Sequence, residues 1–330
     1  FAIGFTRKSF DESSHARAMA TALGTSHHQE ILDLDKARNL MDEVLRRLDE
    51  PQGDSSILPT YLLCRFTRSR VTVALSGDGG DELFAGYDPF AALKPAALYH
   101  AVIPGIAHRG LRRLAELLPR SARNMSFDFK LRRVLQGLDF GPELWNPVWL
   151  APLEPADISD MFNEPVAVEE LYSEVLSLWH EDPHKNLVDK TLEFYTNFYL
   201  PDDIFAKVDR AAMLNGLETR SVFLDNDLVD YVRRLPATYK FDGRKRKIVL
   251  KEAARGLVPQ AILNRPKKGF GIPLKAWLED IPLSHDGAGQ FGLCGAEIDR
   301  RIRGHQSGRE DHRLFLWSWI MLQHHARVQS

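Results

Sequence analysis

One stretch constrains the fold of this 330-residue chain more than any other. Residues 71–75, Val-Thr-Val-Ala-Leu, are a near-continuous apolar run. Such a run predicts a strand covered on both faces, as in a parallel sheet flanked by helices. Ser76-Gly77-Asp78-Gly79-Gly80-Asp81-Glu82 follows without a spacer. In open α/β sheets ligands bind beyond the carboxyl ends of the strands, so this turn stands where a site belongs. Its three glycines let backbone approach a ligand and point N–H groups inward. Three carboxylates are a poor phosphate cradle alone, but they suit a divalent cation held jointly with substrate phosphates. The plain alternative is a glycine-rich turn with solvated acids; its place directly after an apolar strand favours a site. Other signatures are excluded. Position 82 is Glu where a GxGxxG fingerprint needs Gly, no Gly-Lys-Ser/Thr follows, and neither HExxH nor GxSxG occurs.

The surrounding pattern is α/β. Residues 1–5 read as a strand. Asp11, Glu12 and Ser13 read as caps of a helix carrying Ala16, Met19, Ala20 and Leu23 and stopped by Gly24. Residues 28–32 read as a second strand, and Leu40, Val44, Leu45 and Leu48 mark a second helix. Residues 50–56 are a loop, and 58–69 a third helix with Pro59 in its first turn. This alternation predicts a parallel sheet with right-handed crossovers. After Tyr87 helical periodicity dominates and strand signals are scarce. The clearest helices are 167–179 and 187–199, and 287–295 is rich in small residues and reads as a loop, a mobile lid or a break in the sequence. The division expected is an α/β part over 1–92 and a mostly helical part over 93–330.

Composition narrows the partners. Lys plus Arg number 43 and Asp plus Glu 45, for a net charge of -2. No basic excess points to nucleic acid, so any anion site is local. A hydrophobic share of 44% excludes a disordered or fibrous chain. Cys64 and Cys294 make neither a disulfide framework nor a zinc site, and a reduced cytoplasmic compartment is expected. No apolar run reaches the ~20 residues that span a bilayer. The longest, 314–322, is broken by Ser318 and reads as a buried helix; no membrane partner is expected. Cys64 and Met213 read as core, and His27 and His28 as strand-entry residues.

Beyond these readings, the chain resembles a known family. Residues 76–82 resemble the Ser-Gly-Asp/Glu-Gly-x-Asp-Glu segment of the synthetase domain of glutamine-hydrolysing asparagine synthetases. Further blocks resemble that family in order: the strand 1–5, Phe10-Asp11-Glu12-Ser13, Leu23-Gly24-Thr25-Ser26-His27-His28, and Asp49-Glu50-Pro51 with Asp54-Ser55-Ser56 and Pro59-Thr60-Tyr61-Leu62-Leu63. Then come Leu200-Pro201-Asp202-Asp203 through Lys207-Val208-Asp209-Arg210, and Leu217-Glu218-Thr219-Arg220 with Phe223-Leu224-Asp225. Lys247-Ile248-Val249-Leu250-Lys251 and Asn264-Arg265-Pro266-Lys267-Lys268-Gly269-Phe270 complete the series. Val222 stands where the family has proline, and 287–303 is the weakest stretch.

The resemblance implies a Rossmann-like parallel sheet of the ATP-pyrophosphatase type followed by a largely helical part. It implies activation of aspartate, or a similar carboxylate, by ATP with Mg²⁺. The expected intermediate is β-aspartyl-AMP, and ammonia from a glutaminase domain then displaces AMP. A homodimer is the expected assembly. By position, Ser76 and Gly77 match nucleotide contacts, with Gly79 and Gly80 in the same loop. Ile3 matches a residue that packs on adenine, a place where core packing would also put it. Asp81 matches the Mg²⁺ carboxylate, Asp78 an acid that assists ammonia attack, and Lys247 the lysine facing the α-phosphate. Arg244, Lys245 and Arg246 read as solvated. Asp54, Asp209, Arg210, Glu218 and Arg220 match active-site walls, with structural ion pairing equally open to each, and Asp225 reads the same way.

The first phosphate loop, Ser-Gly-Gly-x-Asp-Ser, and the glutaminase domain are absent from this stretch; the loop is expected just upstream, after the sheet's central strand, and the domain before it. Without that strand, backbone on both new edges is unpaired, and this segment alone is not expected to bind ATP productively. Two alternatives stand. One is a related adenylating amidotransferase acting on a sugar acid, peptide or β-lactam precursor. The other is a truncated non-catalytic module.

Overall fold

A computed structural model describes residues 1–121, 125–279 and 281–329. Backbone proximity divides the chain into two compact units. The first comprises Phe1–Leu48, Asp54–Leu93 and Asn186–Ile272; the second comprises Asp49–Gly53, Lys94–Lys185 and Pro273–Ser330. Among the described residues all strands lie in the first unit, which also holds residues 186–272.

The first unit opens as the sequence pattern predicts. β1 (Ala2–Phe5) leads to α1 (Ser13–Leu23), which Gly24 ends in the left-handed conformation at φ 64°. β2 (Gln29–Leu32) then pairs parallel with β1 in the register Ala2↔Gln29 to Phe5↔Leu32. α2 (Leu34–Leu45) is capped by Asp33, whose carboxylate accepts from Lys36 N at 2.8 Å. α3 (Ile57–Arg68) carries Pro59 in its first turn and buries Ile57, Leu58, Tyr61, Leu62 and Cys64. The Cys64 thiol is pushed up to about 11 by burial and then by the Asp78 charge, as befits a core residue rather than a nucleophile.

β3 (Val73–Ser76) follows, and here the structure departs from expectation. It pairs parallel with β4 (Glu218–Ser221), a strand the sequence pattern does not reveal. The β1–β2 and β3–β4 ladders are not joined to one another among the described residues. The apolar run around β3 is also not covered on both faces: Leu75 is 72% exposed and Val73 39%. With one hydrogen-bonded neighbour among the described residues, β3 lies at an edge of its ladder.

Beyond α4 (Asp88–Val102) the chain is helical apart from β4. The helix expected over 167–179 is two pieces, Val168–Leu171 and Ser173–Glu181, broken where Tyr172 has φ -113°. The helix beginning at Leu187 widens after Phe194 into the π-helix Tyr195–Phe205, which contains Pro201. Proline lacks an N–H and clashes with the preceding turn, and a widened turn accommodates both. Met213, expected in the core, ends the helix Ala206–Met213 and is 69% exposed. In the second unit the core is aromatic. Trp145, Leu316, Trp317 and Trp319 are buried, the last three on the helix Arg313–Gln329, which contains the run 314–322 expected to form a buried helix. No helix among the described residues is long and apolar enough to cross a membrane.

Candidate functional site

The candidate site starts where β3 and β4 end. Ser76 and Ser221 are register partners, and their hydroxyl oxygens lie 3.1 Å apart. The chain then turns tightly: Gly80 N donates to Gly77 O at 3.3 Å and Leu83 N to Gly79 O at 2.9 Å. The three glycines serve different ends. Gly79 has φ +86°, and a Cβ there would stand 2.6 Å from Leu224. A Cβ on Gly80 would stand 3.0 Å from the Phe223 ring. Leu83 and Phe84 pack in the same cluster with Val232, Phe223, Leu224, Val249 and Leu250. Gly79 and Gly80 are therefore explained by packing. A Cβ on Gly77 would meet nothing within 4 Å, so Gly77 alone leaves backbone open to a ligand.

Asp81 sits between two cations. Its carboxylate lies 2.8 Å from Lys247 Nζ and 2.5 Å from Lys267 Nζ. Burial pushes this carboxyl upward, but the Lys267 and Lys247 ammonium groups outweigh it and hold it below the usual range. Lys267 Nζ also lies 5.4 Å from the centroid of the Tyr87 ring. Lys247 reaches Asp81 from an unusual backbone. It precedes the helix Ile248–Ala253 in the left-handed conformation, φ 55°, and its N–H donates to Phe84 O at 3.1 Å. Ala85, next to that acceptor, is also left-handed at φ 54°. Each such non-glycine residue costs about 1–2 kcal/mol, so the turn 81–87 and Lys247 are braced at the expense of local strain. Arg246, expected to be solvated, belongs to the brace: it donates to Gly86 O at 3.2 Å and to Asp88 Oδ1 at 2.6 Å. Lys245 is exposed, as expected.

A second polar cluster surrounds Lys207, which is buried. Its Nζ lies 2.5 Å from Asp54 Oδ2. Asp54 also accepts from Ser56 N at 2.8 Å and Ser56 Oγ at 2.6 Å. Burial raises the Asp54 carboxyl, and Lys207 more than reverses it. Asp203, one helical turn before Lys207, is the losing partner. Burial first, then the Asp54 charge, pushes its carboxyl up to about 6. Tyr199 bonds Asp203 and meets Tyr87 edge-on at 5.5 Å. Tyr87 in turn donates to the buried Glu82, whose carboxyl is raised by burial despite that bond. A chain of polar contacts and rings thus runs from Glu82 through Tyr87 and Tyr199 to Asp203, Lys207 and Asp54.

The raised Asp203 carboxyl carries a pH signature. The folded state binds this proton up to about pH 6, the unfolded state only to about pH 3.9. Its contribution to stability is present at low pH and lost as pH rises through that window. Asp203→Asn abolishes the loss. Its melting temperature relative to wild type is expected to climb between pH 4.5 and 7 and then level off, as thermal unfolding across that range measures.

The other expected site residues fall as follows. Ile3 is buried in β1, where core packing accounts for it. Asp78 is half-buried in the turn, and its charge acts on Glu82, Lys207 and Cys64. Glu218 and Arg220 pair with each other at 2.7 Å with exposed side chains on β4, and Asp209 is exposed. Arg210 donates to Ala206 O at 3.1 Å within its own helix. Of the five wall candidates, Asp54 joins the buried network around Lys207, and Glu218 and Arg220 pair with each other. Lys207, Asp203, Tyr87, Tyr199 and Lys267 were missed. Asp203 and Lys207 had a signal, since acid and lysine four apart share a helix face. Lys267 had none beyond its motif.

These features define an α/β protein with parallel strands and a strand-end turn where a carboxylate is flanked by two lysines. The Asparagine synthase family model matches residues 1–327, and the chain belongs to the asparagine synthase family. A Mycobacterium tuberculosis H37Rv protein named "Putative asparagine synthetase (glutamine-hydrolyzing)" is 30% identical across 100% of this chain and 51% of its own length. Asparagine synthetase (glutamine-hydrolyzing) 1 of Bacillus subtilis is 28% identical across 85% of this chain and 43% of its own. Amidase chyE of Penicillium rubens is 23% identical across 81% and 42%. The chain spans about half the length of the curated relatives it matches.

Proposed function

We propose that the protein carrying this chain converts aspartate to asparagine through an acyl-adenylate. An aspartate carboxylate oxygen attacks the α-phosphorus of ATP, the bond to the β-phosphate oxygen breaks, and pyrophosphate leaves. Ammonia then attacks the acyl carbon, AMP leaves with the bonding pair, and the nitrogen gives up a proton. The observation that carries this reading is Asp81 between Lys247 and Lys267, at a strand-end turn where Gly77 is open. Negative charge grows on the phosphoryl oxygens as pyrophosphate departs, and two fixed ammonium groups favour that state. Asp78 is placed in this reading as the acceptor of the nitrogen proton.

The residues fit a magnesium–nucleotide complex. Mg²⁺ takes one or two carboxylates plus phosphate oxygens, and Asp81 offers a carboxylate held ionised. When bound, the ion neutralises phosphate charge. The reading also includes an upstream strand with the first phosphate loop, supported by two parallel ladders that no described strand joins. An upstream glutaminase domain supplies ammonia, supported by the names and greater length of the relatives.

The test is isotope exchange between pyrophosphate and ATP in the full-length protein, with carboxylates supplied singly. Exchange dependent on aspartate is the expected result. A second reading, amidation of another carboxylate, is left open by a relative at 23% identity whose name is not asparagine synthetase. Exchange that ignores aspartate and responds to a peptide or sugar acid would establish it instead.

A further inference from the structure

Residues 266–273, which carry Lys267, form neither helix nor strand. A lysine on such a segment holds its ammonium group in place only if its neighbours are tied down. They are tied on both sides, to one spot some 250 positions earlier in the chain. Arg265 pairs with Glu12. Lys268 Nζ donates to Asp11 O at 2.9 Å and to Lys8 O at 3.3 Å. Phe270 meets Phe5 edge-on at 6.4 Å.

That spot is itself rigid. Asp11 Oδ1 accepts from Phe5 N at 3.1 Å and Ser13 N at 3.2 Å, and Oδ2 accepts from Ser13 Oγ at 2.9 Å. One carboxylate thus ties the end of β1 to the start of α1. Glu12 makes no cap bond of its own at that helix start, which leaves its carboxylate to Arg265. The segment Phe10-Asp11-Glu12-Ser13 then divides its labour: Asp11 builds the corner and Glu12 uses it.

We propose that Glu12 is a positioning residue acting through Arg265: it sets where Lys267 places its charge at Asp81, and so how tightly pyrophosphate is held. This rests on the reading of Asp81 and Lys267 as the pyrophosphate site. The consequence follows from order. A cation pre-fixed at its anion loses less freedom on binding than one carried by a loose segment.

The experiment is calorimetric titration of the full-length protein with inorganic pyrophosphate and Mg²⁺. Lys267→Ala is expected to weaken binding by about thirtyfold, the worth of a charge-assisted contact. Glu12→Gln is expected to weaken it by about fivefold. The double variant is expected to be no weaker than Lys267→Ala alone, because Glu12 has nothing left to position. The reversed pair, Glu12→Arg with Arg265→Glu, is expected to recover most of the Glu12→Gln loss. Undiminished loss from Glu12→Gln in the Lys267→Ala background overturns the proposal, as does a normal affinity for Glu12→Gln where Lys267→Ala is weak. If Lys267→Ala binds normally, the pyrophosphate reading fails first and the positioning role with it.

Discussion

Asp81→Asn is expected to reduce ATP–pyrophosphate exchange by about a hundredfold or more in the full-length protein. An amide is a weak ligand for a hard cation and cannot pair with two ammonium groups. Lys247 and Lys267 both stand within ion-pair distance of the present carboxylate. With a neutral side chain between them they repel one another. The pairs are partly solvated, so the structural cost should stay near 1 kcal/mol, about 2–4 °C in melting temperature. Lys247→Ala should lose kcat more than KM for ATP, because its charge matters most as pyrophosphate departs. Lys245→Ala, two positions away and exposed, should behave as wild type. Near-normal exchange for Asp81→Asn at saturating Mg²⁺ would remove Asp81 from the chemistry.

Gly86→Ala is expected to do as much damage from the other direction. A Cβ at position 86 would lie 1.8 Å from Asp81 Oδ1 and 2.3 Å from Lys247 Cε. Asp81 is short and already held by two lysines, so it cannot swing aside without breaking the pairs. Overpacking of this kind typically costs about 1–3 kcal/mol, and here the displaced atoms belong to the site. Exchange activity and melting temperature should fall together. Gly77→Ala gives the contrast. Its Cβ meets open space, so the melting temperature should hold. If Gly77 lies against nucleotide, exchange should still collapse. A Gly77→Ala protein that is stable and active would place the nucleotide elsewhere.

Several features were legible in the sequence because they are local. Alternating apolar patterns located β1, α1, β2 and α3, and the glycine–acid turn was found directly after the strand. What escaped is set by partners far along the chain. β4 is Glu-Thr-Arg-Ser, with no apolar alternation; only its ladder with β3 makes it a strand. Asp54 and Lys207 are separated by 153 positions, and Asp81 and Lys267 by 186. No spacing rule reaches that far. Arg246 was misjudged for the same reason, since Asp88 and Gly86 claim it from a distant turn. Gly79 and Gly80 look like ligand-facing glycines in sequence, and only Leu224 and Phe223 reveal them as packing positions. The exposed β3 errs the other way: residues 71–75 record a covered environment that the described residues do not supply.

That last mismatch bears on how the polypeptide survives its own synthesis. Among the described residues the β1–β2 and β3–β4 ladders each have no further strand paired along their outer edges. On β3 the edge is dressed with Val73 and exposed Leu75, in a segment free of charge and proline. Short segments of high β propensity with those properties pair readily with copies of themselves. Produced alone, this stretch is therefore a template for aggregation. The upstream strand of the proposed reading would occupy those edges, which would make the order of folding along the full polypeptide a matter of yield as well as of activity.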